Sequence, residues 1–503
     1  MEKGLQKEYE AFLEEWNALQ TTLVLFDWDN ETAAPENGAV RTAAVVGRIS
    51  ASYQTLLTSE KTGALLEKAK QSKGLSDTET RIFRIIEKER KRLAAIPEDE
   101  YRKFSELLSV STGKWTQAKK KNDFSVFAPV LTEILEAKKK FAALQAEPGQ
   151  SAYDALLVQF EEDFPTRKLD RFFEALKLSM IPLVKKIRET GIQPPYDFLF
   201  RSYEIEKQRQ FNRYLAAYLG FDFSRGVLAE SEHPFTTSLH KDDVRITTHY
   251  YENNLESAIF STIHETGHAL FEFGNGDEVT QTPAAGGTCG VHESQSRLYE
   301  NMLGRSEAFW TPLYKKLTEL FPEQLSGIPL PAFICAINRS VPGPVRTEAD
   351  ELTYCLHIVI RYELEKELFD GSLDVYELET AWADKYEQYL GIRPKTAAEG
   401  VLQDIHWAMG EFGYFPSYAL GNAMAAQLYH KMNTEFDIEK TLRDGKPGTI
   451  ASWLRERIHK YGASRSMEEL LKEITGEPLN PVYYTDYLKR KYGGLYEDYV
   501  HSS

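Results

Sequence analysis

The chain has 503 residues but only three cysteines, Cys289, Cys335 and Cys355, with no C-x-x-C pair among them. Three isolated thiols cannot build a disulfide framework, and they fit a reducing compartment. No stretch reaches the roughly 18 consecutive apolar residues that a membrane-spanning helix requires. The opening Met1-Glu-Lys-Gly-Leu-Gln-Lys-Glu-Tyr-Glu10 is charged and lacks the apolar centre of a secretory signal. Positive charge is in short supply too: 60 Lys+Arg stand against 76 Asp+Glu, a net charge of −16. That balance opposes binding to a phosphate backbone or to an anionic membrane surface. The basic runs Lys119–Lys121 and Lys138–Lys140 sit within helical apolar spacing and read as solvated helix faces. Internal repeats and low-complexity linkers are missing as well. The expectation is a cytoplasmic protein that engages neither nucleic acid nor membrane.

What the chain does have is apolar and aromatic mass, 42% hydrophobic residues with 27 Tyr and 27 Phe, enough for a large core. Phe12, Trp16, Leu19 and Leu23 fall at i, i+4, i+7 and i+11, an amphipathic helical stripe. Similar stripes predict helices over 40–70, 77–95, 98–121, 125–146, 150–162, 168–192 and 204–219. Turn formers such as Ala34-Pro-Glu-Asn-Gly38 and Glu147-Pro-Gly149 separate them. Near residue 223 the period changes. Phe235–Leu239 and Val244–Tyr250 alternate β-branched and aromatic residues around a His240–Asp243 turn, which predicts an antiparallel hairpin. Helical periodicity then returns. The expected architecture is mostly α-helical, a single unit over residues 1–503 with one small antiparallel sheet, arranged in two lobes around a cleft.

The chemistry gathers on His264-Glu265-Thr266-Gly267-His268, an H-E-x-x-H pattern in helical surroundings. Positions i and i+4 lie one above the other on a helix, so His264 and His268 aim their imidazoles at a common point. Such a pair suits a zinc ion, with Glu265 beside it to take a proton from water. Five residues can also match by chance on an exposed helix, so a third ligand is required. Zinc sites of this type draw a glutamate from a second helix. Glu293, 25 residues beyond His268, is that candidate, and Gly286, Gly287 and Gly290 free the intervening backbone to turn back. Glu300 or Asn301, two turns further on, is placed to support the ligands from behind. His292, Gln295, Arg297 and Asn301 make this helix unusually polar for one between apolar segments.

Further motifs follow in order: His233-Pro-Phe235, Asp243-Val-Arg-Ile-Thr247, His292-Glu-Ser-Gln295, Val345-Arg-Thr-Glu-Ala-Asp350 and Gly400-Val-Leu-Gln-Asp-Ile-His-Trp407. Together with His264–His268 this set resembles the carboxypeptidase Taq family of bacterial and archaeal metallocarboxypeptidases. Val345 is a departure, since Ile or Tyr is usual before the arginine. The resemblance implies a helical fold with a deep central groove, similar to the angiotensin-converting enzyme and neurolysin group. It also implies one zinc per subunit that cobalt can replace, a homodimer, and broad removal of C-terminal residues from peptides that stops before proline.

Peptide hydrolysis passes through a tetrahedral oxyanion, which needs donors aimed at it. His406 is the candidate donor, and Tyr414 joins it, ahead of Tyr418, because its place before a Phe resembles the converting-enzyme group. Capturing a free C-terminal carboxylate calls for an arginine. Arg346, after the extended Ser340–Pro344, ranks first and Arg245, on the hairpin, second; Asp350 and Asp243 are expected to orient them or buttress the site. The alternative to a carboxypeptidase is an oligoendopeptidase or dipeptidyl-releasing enzyme with the same zinc site, and the carboxylate-binding arginine is what separates the two.

Overall fold

The computed structural model describes residues 1–502; the side chains of Glu36, Ala39, Val40 and residues 497–502 lie outside that description. The chain divides into two compact units, each assembled from three separated segments. The first takes Met1–Ala94, Pro195–Ile337 and Leu428–Pro478; the second takes Ala95–Pro194, Asn338–Gln427 and the C-terminal segment from Leu479. Helices dominate both, and one three-stranded sheet completes the first.

In the first unit the long helix Lys3–Thr32 buries Leu5, Tyr9 and Phe12 against Leu65, Leu66, Ile82, Phe83 and Ile86. Those partners come from helices Glu60–Gln71 and Asp77–Ala94. The apolar stripe is the cause: i, i+4, i+7 spacing puts one face inward, and burying it supplies most of the helix's stability. The sheet runs β1 (Gly226–Glu230), β2 (Thr236–His240) and β3 (Asp243–Thr248), in the spatial order β1-β3-β2. β2 and β3 form the expected antiparallel hairpin, Thr236 opposite Ile246. β1, which the alternation did not single out, pairs in parallel with β3, Gly226 opposite Val244. The central strand turns Val244 and Ile246 inward against Ala216, Phe221 and Ala269. Ala269 belongs to the helix Leu255–Phe273, so the sheet lies directly on the helix that carries His264 and His268. Asn254 caps that helix, its side chain accepting from Ser257 N at 3.1 Å.

In the second unit the helix Thr166–Thr190 presents Leu169, Phe172, Phe173, Leu176, Met180, Val184 and Ile187 to the interior. It packs on helix Glu351–Asp370, which is buried on nearly every side and forms the centre of this unit. A helix enclosed in this way is ordinarily apolar all round. Here His357, Arg361 and Glu365, at i, i+4 and i+8, are all fully buried on one face.

Candidate functional site

The residues singled out from sequence fall in both units. His264, Glu265, His268, Glu293 and Arg245 belong to the first; Arg346, His406 and Tyr414 belong to the second.

In the first unit, helix Cys289–Arg297 packs on helix Leu255–Phe273, and Gly267 makes the close approach possible. A Cβ at this position would lie 2.8 Å from Ser296 Cα and 2.9 Å from Gln295 O, both backbone atoms. The glycine between the two histidines is therefore what lets the helix bearing Glu293 reach them. Glu293 Oε2 lies 3.7 Å from His264 Nε2 and 3.5 Å from His268 Nε2. One ligand atom from each of the three residues falls within 4.8 Å of the others, the one such cluster among the described residues. Tetrahedral zinc with ligands at about 2.0–2.1 Å sets its donors about 3.4 Å apart. Two imidazoles and a carboxylate at these separations fit that ion.

The surrounding hydrogen bonds turn the correct nitrogens inward. His264 Nδ1 donates to Glu300 Oε2 at 2.8 Å, which leaves the Nε2 lone pair facing Glu293. For His268 the support runs through a second histidine. His292 Nε2 donates to Glu272 Oε1 at 2.7 Å, so its Nδ1 is the lone pair that receives the Nδ1–H of His268 at 2.5 Å. His268 Nε2 is thereby freed for coordination. Burial pushes His268 down to about 3, which keeps it neutral. Burial also disfavours a charged His264, but Glu293 and Glu300 outweigh it and the net shift is upward. Glu293 itself is buried, and Arg297 and His264 hold its carboxyl well below the usual range despite that burial. Arg297 Nε donates to Glu293 Oε1 at 2.6 Å, leaving Oε2 toward the histidines.

Glu265 stands on the same helix, buried, with Oε2 accepting from Thr236 Oγ1 of β2 at 2.6 Å. Burial raises its pKa, which makes it a better proton acceptor once ionised. Arg245 on β3 donates from Nε and Nη2 to the two oxygens of Asp243, each at 2.8 Å. Its guanidinium also lies over the Trp28 ring, 5.6 Å from the centroid.

In the second unit Arg346 is buried. Its Nε and Nη2 donate to Asp404 Oδ1 at 2.9 and 2.8 Å and its Nη1 to Tyr354 OH at 3.2 Å. Arg361, fully buried, donates to the other Asp404 oxygen at 2.7 Å, so two guanidinium groups share one carboxylate. Gln403 Oε1 links them further, accepting from Arg346 N at 2.8 Å and Arg361 Nη2 at 2.7 Å. Asp350 does not orient Arg346. It caps helix Glu351–Asp370 by accepting from Thr353 N at 3.0 Å, and it takes Ser340 Oγ at 3.1 Å. His406 sits in a short 3-10 turn, His406–Met409. Its Nδ1 is buried without a hydrogen-bond partner. Burial and Arg346 push it down to about 4, so it is neutral at pH 7. The Tyr414 ring stacks on His406 at 5.7 Å, and Tyr418 meets Tyr414 edge-on at 5.2 Å.

Sequence reasoning missed Glu272, Thr236 and Arg361. Glu272 follows His268 by one helical turn, a signal that was available; Thr236 and Arg361 are brought in by tertiary contacts that no local spacing announces.

A family model described as Carboxypeptidase Taq (M32) metallopeptidase matches residues 8–492. Carboxypeptidase 1 of Bacillus subtilis (strain 168) is 41% identical over 494 residues, covering 98% of each chain. Thermostable carboxypeptidase 1 of Pyrococcus furiosus is 38% identical over 469 residues, covering 92% of this chain and 94% of that one. Among solved structures, an M32 carboxypeptidase from Deinococcus radiodurans R1 superposes with a TM-score of 0.94 at 34% identity, covering 98% of this chain and all of the other.

Proposed function

This chain belongs to the carboxypeptidase Taq (M32) family and is a metallocarboxypeptidase, and on that premise we propose that His264, His268 and Glu293 hold its catalytic zinc. The observation that carries the reading is the convergence of three donor atoms, with both Nδ1 positions tied back to acceptors. Zinc bound there would supply Lewis acidity to the scissile carbonyl and to a water, and cobalt would substitute for it. Glu265, steadied by Thr236, takes the proton of the attacking water and returns it to the leaving amine. His406 and Tyr414 donate to the oxyanion; burial and Arg346 hold His406 neutral, which leaves its ring one N–H to give.

Arg346 binds the substrate's terminal carboxylate. Its buried guanidinium shares the carboxylate of Asp404 with Arg361, so Asp404 is not its exclusive counter-ion, and a guanidinium fork suits a carboxylate. Arg245 is the second carboxylate-binding group. The substrates are then peptides with a free C-terminus, trimmed one residue at a time with broad specificity and not before proline. The whole chain serves as one catalytic domain and assembles as a homodimer. Three cysteines with no C-x-x-C pair among 503 residues support a reducing, cytoplasmic setting, and among the described residues no helix is long and apolar enough to cross a membrane.

The test is Glu265→Gln in zinc-replete protein. Bound zinc should stay at one per chain while kcat falls about 10²- to 10⁴-fold. Full activity in that variant would overturn the mechanism.

A further inference from the structure

The buried polar face of helix Glu351–Asp370 contains a carboxylate that the proposed mechanism does not use. Glu365 is fully buried, and its two oxygens take three donors. Oε1 accepts Trp407 Nε1–H at 2.7 Å. Oε2 accepts Gly413 N–H and the Tyr153 hydroxyl, each at 2.8 Å. Trp407 directly follows His406, and Gly413 directly precedes Tyr414. One carboxylate therefore grips both ends of the turn at the residues next to the two groups assigned to the oxyanion.

The turn itself is tightly made. Glu411 N donates to His406 O at 2.9 Å, closing it from within. Gly413 has φ +84°, and a Cβ there would meet Leu156 C and Leu157 N at 3.1 Å, so backbone packs directly behind it. Trp407 is wedged among Trp382 at 5.8 Å and Phe412 at 6.1 Å. Apolar packing alone would fix the depth of the turn but not the direction of the Gly413 peptide, which sets where Tyr414 emerges. A leucine at position 365 would spare the cost of burying a carboxylate, yet it would strand the Trp407 and Gly413 N–H groups. Burial pushes Glu365 up to about 7, and the hydrogen bonds from Trp407, Gly413 and Tyr153 oppose that rise while they fix a backbone and a ring at once.

We propose that Glu365 is a positioning residue of the peptidase: by holding Trp407 and Gly413 together it keeps the His406 and Tyr414 rings in the stacked arrangement that presents them to the oxyanion. The proposal rests on the oxyanion role given to those two residues above. A group that acts only on the transition state lowers kcat without weakening substrate binding, whereas a merely structural defect lowers the amount of competent enzyme.

The experiment compares Glu365→Gln, Trp407→Phe and His406→Phe in full-length, zinc-loaded protein, with active enzyme titrated by bound zinc. Steady-state hydrolysis of one short peptide is then read as kcat and KM separately. Glutamine keeps the size and one acceptor oxygen but turns an NH₂ toward one of the donors. Glu365→Gln should lower kcat per zinc about tenfold or more with KM within about twofold, and Trp407→Phe, which cuts only the Oε1 arm, about threefold or more. If Glu365→Gln does not fold, Trp407→Phe decides by the same criterion. Wild-type kcat in these variants, or a loss confined to KM, while His406→Phe loses kcat, overturns the role of Glu365. Wild-type kcat in His406→Phe overturns instead the oxyanion reading on which it rests.

Discussion

Removing the carboxylate behind His264 tests whether the hydrogen bonds around the proposed zinc ligands govern affinity. Glu300 lies in the π-helical stretch Leu298–Leu303 and accepts from His264 Nδ1 at 2.8 Å. Its Oε2 also takes Arg297 Nη1 at 3.1 Å, and Arg305 Nη2 approaches Oε1 at 3.6 Å. Neither arginine is stranded by its loss. Arg297 keeps Glu293, and Arg305 keeps hydrogen bonds to Asn301 Oδ1 at 3.2 Å and to Ile337 O, so in Glu300→Ala both guanidinium groups stay hydrogen-bonded although Arg305 loses its carboxylate. What His264 itself loses is one charge-assisted hydrogen bond, worth about 1.5–3 kcal/mol. Without it the imidazole loses both its fixed orientation and its preferred tautomer. Converted at 1.4 kcal/mol per decade, the weakening of zinc is about 10- to 100-fold, in line with the usual cost of losing a ligand's supporting partner. Glu300→Gln keeps an acceptor oxygen and should sit at the low end, about tenfold. Competition for zinc against a chromophoric chelator at constant pH measures both. Affinities within about twofold of wild type for both variants would refute the tautomer argument.

Gly267→Ala should cost about 1–3 kcal/mol, because the methyl meets backbone atoms of Ser296 and Gln295 rather than a yielding side chain. Since it also pushes the helix of Glu293 away, zinc affinity should fall together with the thermal midpoint; wild-type values of both would contradict the packing argument. The acid side of the stability profile should be steep in metal-free protein. Glu300, pulled down to about 2 by Arg297 and His264 against its burial, is a carboxylate with a depressed folded pKa. Its contribution is complete above the ordinary value near 4.5 and is lost as pH falls through about 2. Urea midpoints taken in chelator from pH 5 downward should decline, and Glu300→Gln should flatten that decline; parallel curves would contradict the assignment.

Much of this was legible in the chain itself. Helix Glu98–Lys121 has the bounds its stripe predicts, because it ends on Asn122 in a left-handed conformation after a lysine-rich last turn. The cluster of His264, His268 and Glu293 was readable for a similar reason: the two histidines obey helical spacing, and one helix pairing brings Glu293 to them. β1 was not readable, since Gly226-Val-Leu-Ala-Glu230 carries no alternation and leaves Val227 exposed. From spacing alone Asp350, four residues on, is expected to orient Arg346 or to buttress the site. The structure pairs Arg346 with Asp404, 58 residues away, because Asp350 is already committed to capping a helix. His406 occupies a short turn whose neighbour Trp407 is held by a buried glutamate that no local pattern marks.

The proposed metal centre at His264, His268 and Glu293 serves removal of a residue from a free C-terminus, with Arg346 recognising the carboxylate. Mass spectrometry of products from one peptide and its C-terminal amide, with and without chelator, tests it most directly. The free acid should lose single C-terminal residues only when metal is present, the amide should be nearly inert, and Arg346→Lys should raise KM for the acid about tenfold or more. Equal cleavage of acid and amide, internal cuts, or turnover that survives the chelator would contradict it.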